Sequence, residues 1–556
     1  MTPHEKLAAS LSELQKLQAS GRRVFQSKEF GPVHRQRLLR NGFLREVIKG
    51  WVITTSPGAD DGDTTPWYTS FWEFCAQYSE KRFGTDWHLS PEQSLLLHAE
   101  STVVPTQVLI YAKKGTNNVT NLLFGTSILD LKERLKQRAE ASDLIVKDGL
   151  RLFTLTAALV KSSEHFFRQS SIAVQIALNS VREPSELLSR LLEGGHSGVA
   201  GRLAGAFRRV GRGSIADEII KTMKGADYDV RETDPFSPQQ RLVSLAPGEP
   251  PVVGRIKALW ESAREPVLQV APQLPGLPKD KKAYLSFVDD IYKSDAYHSL
   301  SIEGYTVTPA LIDRVRTGSW NPDGDKNDRE SLDALAARGY WQAFRRVKNT
   351  VEKLIRGAKA GALVRDDHRD WHREMFQPSV AAGLLRPAVL AGYRSQPVYL
   401  RGSRHVPPRW EFVGDAMSAL FDLLEEEKEP FVRAVLGHWM LGYIHPYHDG
   451  NGRMARFLMN AMLASGGYPW SVIRVEDRAA YLDALESASS EVSVRPFATF
   501  IANRIYSSME LTLQAASAPV SKTRPAPRAK APTASPSSRR RKSKRQRATA
   551  DLFGKT

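Results

Sequence analysis

The sequence predicts a mainly α-helical protein with one small β-hairpin in its C-terminal half, behind an N-terminal α/β region that opens with helices and a hairpin. Three observations carry this. Apolar residues recur at helical spacing through the segments between 281 and 510. Short β-rich runs bounded by Gly turns are confined to residues 1–140 and to the surroundings of Gly402. Gly- and Pro-rich stretches separate these regions. They divide the chain into 1–60, a mixed α/β and helical region at 61–234, a Pro-rich connector at 235–280, a helical region at 281–510 and a basic tail at 515–556.

Composition sets the frame. A chain of 556 residues suggests two to four domains, and 41% hydrophobic with 25% charged residues is ordinary for a soluble globular protein. No apolar run approaches the roughly 18 residues that span a membrane. The start, Met1-Thr2-Pro3-His4-Glu5-Lys6, lacks a signal-peptide core. A single cysteine, Cys75, among Phe71, Trp72 and Phe74, makes no internal disulfide and reads as a buried thiol. The expectation is a cytoplasmic protein without membrane contact or structural zinc.

In chain order, Leu7, Leu11, Leu14 and Leu17 form a helical stripe, and Ser27 with Glu29 reads as the cap of a second helix. That helix carries His34, Arg35, Arg37 and Arg40. Phe43 to Ile48, Lys49-Gly50 and Trp51 to Thr54 then read as a hairpin with a tight turn. Helices followed by a hairpin are the order of a winged helix, with the basic helix reading DNA and Lys49-Gly50 as the wing tip. The pattern resembles the winged-helix modules that open AbiEi-type antitoxins. DNA is therefore an expected partner through Arg35, Arg37, Arg40 and the tail; a docking scaffold with a solvated basic face is the alternative. The aromatic helix Trp67 to Tyr78 reads as core. Helices follow at Pro184–Leu192 and Ile215–Met223, and the glycines from Gly194 to Gly205 read as turn chemistry. The net charge of +17 lies mostly in the tail, where about a dozen Lys/Arg face a single acid, Asp551. Such composition predicts disorder.

The most informative stretch is His445-Pro446-Tyr447-His448-Asp449-Gly450-Asn451-Gly452-Arg453-Met454-Ala455-Arg456. It lies between two apolar helices, Pro430–Ile444 and Met454–Ser465. A helix N-terminus binds anions, and Gly450 and Gly452 let a ligand approach the backbone. Arg453 and Arg456 share a helix face and suit two phosphates. Asp449 is a hard oxygen ligand for magnesium, and His445 can take a proton near neutral pH.

This run resembles the signature of the Fic family, H-P-F-x-(D/E)-G-N-G-R-x-x-R, with Tyr447 where Phe is usual. The resemblance implies a Fic-type helical core and transfer of AMP from ATP, with Mg2+, onto a protein hydroxyl. It makes His445 the base and Asp449 the metal ligand. Gly450, Asn451 and Gly452 become the anion hole, Arg453 a phosphate ligand and Arg456 the γ-phosphate ligand. Gly452 stands where the phosphorylating Doc branch has Lys, which favours adenylyl transfer. Upstream, Ser299-Leu300-Ser301-Ile302-Glu303-Gly304 resembles the family's inhibitory motif, (S/T)-x-x-x-E-(G/N). Ser299, Glu303 and Gly304 are thereby inhibitory residues, with Glu303 occupying Arg456. Val398 to His405, around Gly402, is a candidate hairpin that resembles the family's flap, where a target protein docks by strand addition. A reverse enzyme that removes AMP using Glu303, and a DNA-binding regulator of toxin–antitoxin type, stay open as alternatives, as does a homodimer.

Overall fold

The computed structural model describes residues 2–58, 62–133, 139–238, 241–243, 245–319 and 332–517. From residue 518 onward the basic tail lies outside them.

The N-terminal part runs α1 (Pro3–Gln18), β1 (Val24–Gln26), α2 (Pro32–Arg40), β2 (Leu44–Ile48) and β3 (Trp51–Thr54). Thr2 and Glu5 close a reciprocal capping box at the start of α1. The expected hairpin is present, its turn made by Lys49 and Gly50, with Gly50 at φ +89°. Ser27 opens only a short 3-10 turn, and α2 starts at Pro32, whose missing N–H suits a first helical position. β1 pairs with β3, giving the antiparallel order β1-β3-β2. Three residues are too few for alternation to mark such a strand in the sequence.

The next region holds α3 (Thr65–Phe83), β4 (Trp87–Leu89), α4 (Pro91–His98), β5 (Gln107–Ala112), β6 (Asn118–Asn121), β7 (Ser127–Lys132), β8 (Leu144–Lys147) and β9 (Leu150–Phe153). A mixed sheet of order β4-β5-β7-β6, with β5 and β7 parallel, covers α3. Trp67, Phe71, Phe74 and Cys75 of α3 are fully buried, so the aromatic stripe is core, as its spacing predicts.

Six helices follow: α5 (Leu155–Lys161), α6 (Glu164–Gln169), α7 (Ser171–Ser180), α8 (Ser185–Glu193), α9 (Ser197–Arg209) and α10 (Gly213–Gly225). The glycines expected to make turns at 201 and 205 lie inside α9 instead. A Cβ at Gly201 would meet the Arg231 carbonyl O at 2.0 Å, and one at Gly205 the Thr233 carbonyl O at 2.1 Å. They let the chain at 231–233 run directly along the helix. The neighbouring arginines are engaged internally: Arg208 pairs with Glu232 and Asp217, and Arg212 binds the Asn179 and Val181 carbonyls.

The C-terminal part comprises α11 (Pro251–Leu268), α12 (Lys281–Ile302), α13 (Pro309–Thr317), α14 (Leu332–Ile355), α15 (Ala360–Ala381), α16 (Val413–Glu426), α17 (Pro430–Ile444), α18 (Asn451–Ala464), α19 (Arg478–Glu491) and α20 (Arg495–Ser517). One apolar core joins them, running from Val252 to Ile505. The Pro-rich span read as a connector at 235–280 therefore contains a core helix. Pro251 opens α11 at a position that needs no N–H, and Ile256, Leu259, Trp260 and Val267 are buried. None of the described helices is long and apolar enough to cross a membrane.

The candidate hairpin at Val398–His405 takes another form. It turns at Arg401–Gly402 but holds no strand pair of its own. His405 instead bridges Val103 antiparallel, with Val104 N–H donating to the Arg404 carbonyl (2.9 Å) and Val406 N–H to the Thr102 carbonyl (2.6 Å). Pro397, Pro407 and Pro408 flank the segment and lack the N–H a second ladder would need. Glu486 takes the Ser403 hydroxyl and the Arg404 N–H.

Candidate active site

The site lies where α17 ends and α18 begins. α17 is apolar nearly all round, with Phe431, Val435, Leu436, Trp439 and Ile444 buried, so it is locked into the core and fixes its own C-terminus. His445 follows at φ +50°, ψ +60°, a left-handed conformation that non-glycine residues seldom take. Arg394, itself buried, braces the turn: its Nε donates to the His445 carbonyl (2.9 Å) and its N–H to the Pro446 carbonyl (2.8 Å). No sequence pattern singled out Arg394.

His445 Nδ1 stands 3.3 Å from the Gly442 carbonyl oxygen. A carbonyl only accepts, so the ring hydrogen sits on Nδ1 and Nε2 keeps a lone pair. Burial pushes the imidazole down to about 4, so it is neutral at pH 7 and ready to accept a proton.

Tyr447 is fully buried and stacks on His372 of α15, with ring centroids 3.8 Å apart and planes 8° from parallel. Its hydroxyl has no hydrogen-bond partner among the described residues. The ring, not the hydroxyl, fills the place, which explains why Tyr stands where Phe is usual. Asn451 clamps this residue from both sides, its Oδ1 accepting from Tyr447 N–H (2.9 Å) and its Nδ2 donating to the Tyr447 carbonyl (2.8 Å). The Asn451 amide thus shapes the loop, and only its backbone N–H is left for an anion.

α18 begins at Asn451, three residues earlier than its apolar pattern predicts, with Gly450 as N-cap at φ +84°. A Cβ there would lie 2.7 Å from the Phe376 ring, so glycine is required by both conformation and space. The first turn of α18 presents its free N–H groups and dipole to the site. Arg453 is 1% exposed and Arg456 3%. Arg453 lies over the Tyr305 and Phe376 rings at 5.3 and 5.1 Å and donates from Nη2 to Asp449 Oδ2 (3.2 Å). Its Nε is buried without a partner among the described residues. A buried unsatisfied donor is costly, and an anion bound here would satisfy it.

Asp449 is largely exposed, its side chain 60% accessible. No cluster of three or more His, Cys, Asp or Glu able to hold a metal occurs among the described residues. A single exposed carboxylate beside a phosphate cradle fits magnesium, which keeps water and phosphate oxygens as its other ligands.

The segment Ser299–Gly304, expected to be inhibitory, reaches the same place. α12 ends at Ile302, and Gly304 at φ +90° closes it. Tyr305 N–H donates to the Leu300 carbonyl (3.1 Å) and Gly304 N–H to the Ser301 carbonyl (3.0 Å). This stop leaves Glu303 at the helix end. Its Oε1 accepts from Arg456 Nη2 at 2.6 Å, while Ser299 Oγ accepts from Arg456 Nε at 2.8 Å and the Ser299 carbonyl from Nη2 at 3.1 Å. Burial alone would push the Glu303 carboxyl up; the Arg456 and Arg453 charges overcome it and hold the group below the usual carboxylate range. A Cβ at Gly452 would stand 2.4 Å from Glu303 Oε1, so this glycine makes room for the carboxylate.

His445, Asp449, Gly450, Asn451, Gly452, Arg453, Arg456, Ser299 and Glu303 therefore converge, and Gly304 supports Glu303. The basic residues of α2 do not form such a site. Arg35 donates to the Ser27 carbonyl, and Arg37 to the Lys6 carbonyl and Ser10 Oγ; Arg40 is exposed.

Residues 362–463 match the Fic/DOC family model. A protein adenylyltransferase Fic of Nematostella vectensis is 31% identical over 252 residues, 45% of this chain and 55% of that protein. The Drosophila willistoni protein of the same name is 32% identical over 234 residues, 41% and 43% of the two chains. This chain thus spans about half the length of the curated relatives it matches. A solved structure of Fic-1 (residues 134–508) from C. elegans aligns over 62% of this chain and 98% of its own, at 19% identity and a TM-score of 0.35.

Proposed function

We propose that this chain, whose residues 362–463 match the Fic/DOC family model, transfers AMP from ATP to a hydroxyl side chain of a protein and is held off by its own Glu303. The observation that carries the reading is the Glu303–Arg456 contact at 2.6 Å, made beside the helix N-terminus that carries Arg453 and the turn that carries His445.

The chemistry follows from the groups present. His445 Nε2 takes the proton of the target hydroxyl as its oxygen bonds to the α-phosphorus. The bond from that phosphorus to the bridging oxygen breaks in line, and pyrophosphate leaves with the electron pair. Asp449 would hold magnesium, which neutralises phosphate charge when bound. The N–H groups of the first turn of α18 and Arg453 stabilise the phosphate oxygens, and Arg456 orients the γ-phosphate. With Glu303 on Arg456 that last grip is taken, and ATP sits out of line for attack.

In this reading a target main chain would run along Val398–His405. Arg394 supports this position, since it joins the Gln396 carbonyl to the His445 carbonyl through one guanidinium. The free buried thiol of Cys75 agrees with a reducing, cytoplasmic setting.

The test is AMP incorporation from α-labelled ATP with magnesium. Glu303→Gly is expected to raise labelling by about ten- to a hundredfold over wild type, the size of a lost competing ion pair. Added His445→Ala should abolish it. Undiminished labelling without His445 would remove the assignment. Release of AMP from a modified target that requires Glu303 would assign the reverse reaction instead.

A further inference from the structure

We propose that Arg394 is a positioning residue for His445: its guanidinium sets the turn that aims the imidazole and ties that turn to the segment from Gln396 to Pro408. The inference rests on the adenylyl-transfer reading only in taking His445 as the base.

The need for such a residue arises in the sequence. α17 ends at Ile444, and the last carbonyls of a helix have no partner within it. The chain then passes through His445 to Pro446, which has no N–H to offer them. Arg394 supplies donors instead. Its Nε donates to the His445 carbonyl at 2.9 Å, its Nη2 lies 3.5 Å from the Ile444 carbonyl, and its own N–H donates to the Pro446 carbonyl at 2.8 Å. Three consecutive carbonyls thus face one residue. His445 stands at φ +50°, and a residue with a Cβ keeps that conformation only where its surroundings dictate it. A cation at a helix C-terminus also meets the negative end of the dipole.

The same guanidinium reaches a second part of the chain. Nη1 donates to the Gln396 carbonyl at 3.1 Å, and Nη2 to the Pro408 carbonyl. Between these two residues the chain is fixed by residues 102–104, through the Val104 N–H on the Arg404 carbonyl and the Val406 N–H on the Thr102 carbonyl. A guanidinium is planar and rigid, so it holds carbonyls from both sides in one fixed relation. Arg394 is 3% exposed, and its hydrogen bonds among the described residues all end on main-chain oxygens. It is a template for backbone rather than half of an ion pair.

The imidazole inherits this arrangement. His445 Nδ1 stands 3.3 Å from the Gly442 carbonyl because the turn folds the ring back over the last turn of α17. That contact fixes the tautomer and leaves the Nε2 lone pair open. Without the guanidinium the turn relaxes, the ring leaves Gly442 and both tautomers are populated. The base is then misplaced, not removed.

The experiment uses the full chain carrying Glu303→Gly, with its histidines labelled in carbon-13 and nitrogen-15. The His445 ring is assigned by its absence in His445→Ala. At pH 7 the parent should show the Nδ1–H tautomer alone. Arg394→Met keeps the stem and removes the fork, so it should show both tautomers. It should also slow AMP incorporation at saturating α-labelled ATP by about a hundredfold, the loss expected for a misplaced reacting group. The dissociation constant of α,β-methylene ATP should stay within about twofold, since Arg394 touches none of the groups assigned to ATP. Arg394→Lys keeps the charge but cannot span carbonyls on both sides, and should show both effects at reduced size, with transfer about tenfold slower. A merely structural role would lower the melting temperature and leave the tautomer alone. A mixture already present in the parent, an unmoved tautomer in both variants, unchanged transfer, or analogue affinity falling in step with transfer overturns the proposal. If Arg394→Met does not fold, Arg394→Lys decides alone. If the parent transfers no AMP, the adenylyl-transfer reading falls separately, while the ring signals still report on Arg394.

Discussion

Two helices of this molecule carry the arginines that its sequence offers to phosphate, and they treat them differently. In α18, Arg453 and Arg456 are almost wholly buried, and Arg453 keeps a donor without a partner among the described residues. In α2, Arg35 and Arg37 are half-buried and hydrogen-bonded to main-chain carbonyls of neighbouring turns. Burying a guanidinium costs free energy unless its hydrogens are met, and the unmet donor of Arg453 lies beside the first turn of α18, where an anion would meet it. A half-exposed guanidinium on a carbonyl is stable as it stands. The lesson is that a count of basic residues says little; what each donor already holds says more.

The largest test of this contrast is Arg453→Ala. It should lower AMP transfer in the Glu303→Gly background by about a hundred- to a thousandfold, the range for losing one preorganised charge donor. A loss of less than tenfold would mean that the buried donor is not awaiting phosphate. Acid offers a second, intermediate test. Burial lowers His445, His368 and His372 to about 4, and His405 and His438 to about 3. Their folded values lie below the ordinary 6.5, so they contribute stability that is present above that pH. It is lost as the unfolded chain takes up protons the folded chain refuses. Between pH 6.5 and 4 the unfolding free energy should fall by roughly 1 kcal/mol per pH unit for each such histidine, read by urea titration across pH. A flat profile would show that these rings are not dry in solution. The smallest effect is expected in α2. Arg37→Ala should cost about 1 kcal/mol of stability, for its partly exposed hydrogen bonds to the Lys6 carbonyl and Ser10 Oγ, and leave AMP transfer unchanged. Altered transfer in that variant would tie α2 to the site and erase the contrast.

Much of the site was legible because its signals are local. The loop from His445 to Arg456 keeps the proposed base, the proposed metal ligand, the glycines and the arginines in one run. Glu303 could be paired with Arg456 only by resemblance, since 153 residues separate the two. The first turn of α18 was missed because glycine and asparagine interrupt the apolar pattern there, while the helix is held by Asn451 gripping Tyr447. The connector was misread for a related reason. Prolines at 250 and 251 mark the start of a helix as readily as a linker, and only burial of Trp260 and its neighbours decides between them. The hairpin around Gly402 had the right composition for strands, but its pairing partner came from residues 102–104, which no local pattern could reveal.

That pairing bears on how the protein can be divided. His405 Nε2 donates to the Tyr443 carbonyl at 2.8 Å, so its Nδ1 must accept, and Thr102 Oγ1 lies 3.1 Å away to supply the hydrogen. The Thr102 oxygen then receives the Tyr443 hydroxyl at 2.7 Å. This closed ring of three residues runs through the side chain and main chain of Tyr443, two residues before His445. A fragment cut at the apparent start of the C-terminal helices, near residue 281, would discard Thr102 and the core helix α11 together. It would take away the hydrogen that His405 Nδ1 accepts and uncover the main-chain groups that pair with residues 102–104, beside the turn at His445. Excision at that boundary would yield a piece that keeps the signature and loses its footing, whereas a cut that respects the ring must retain the chain from before residue 102.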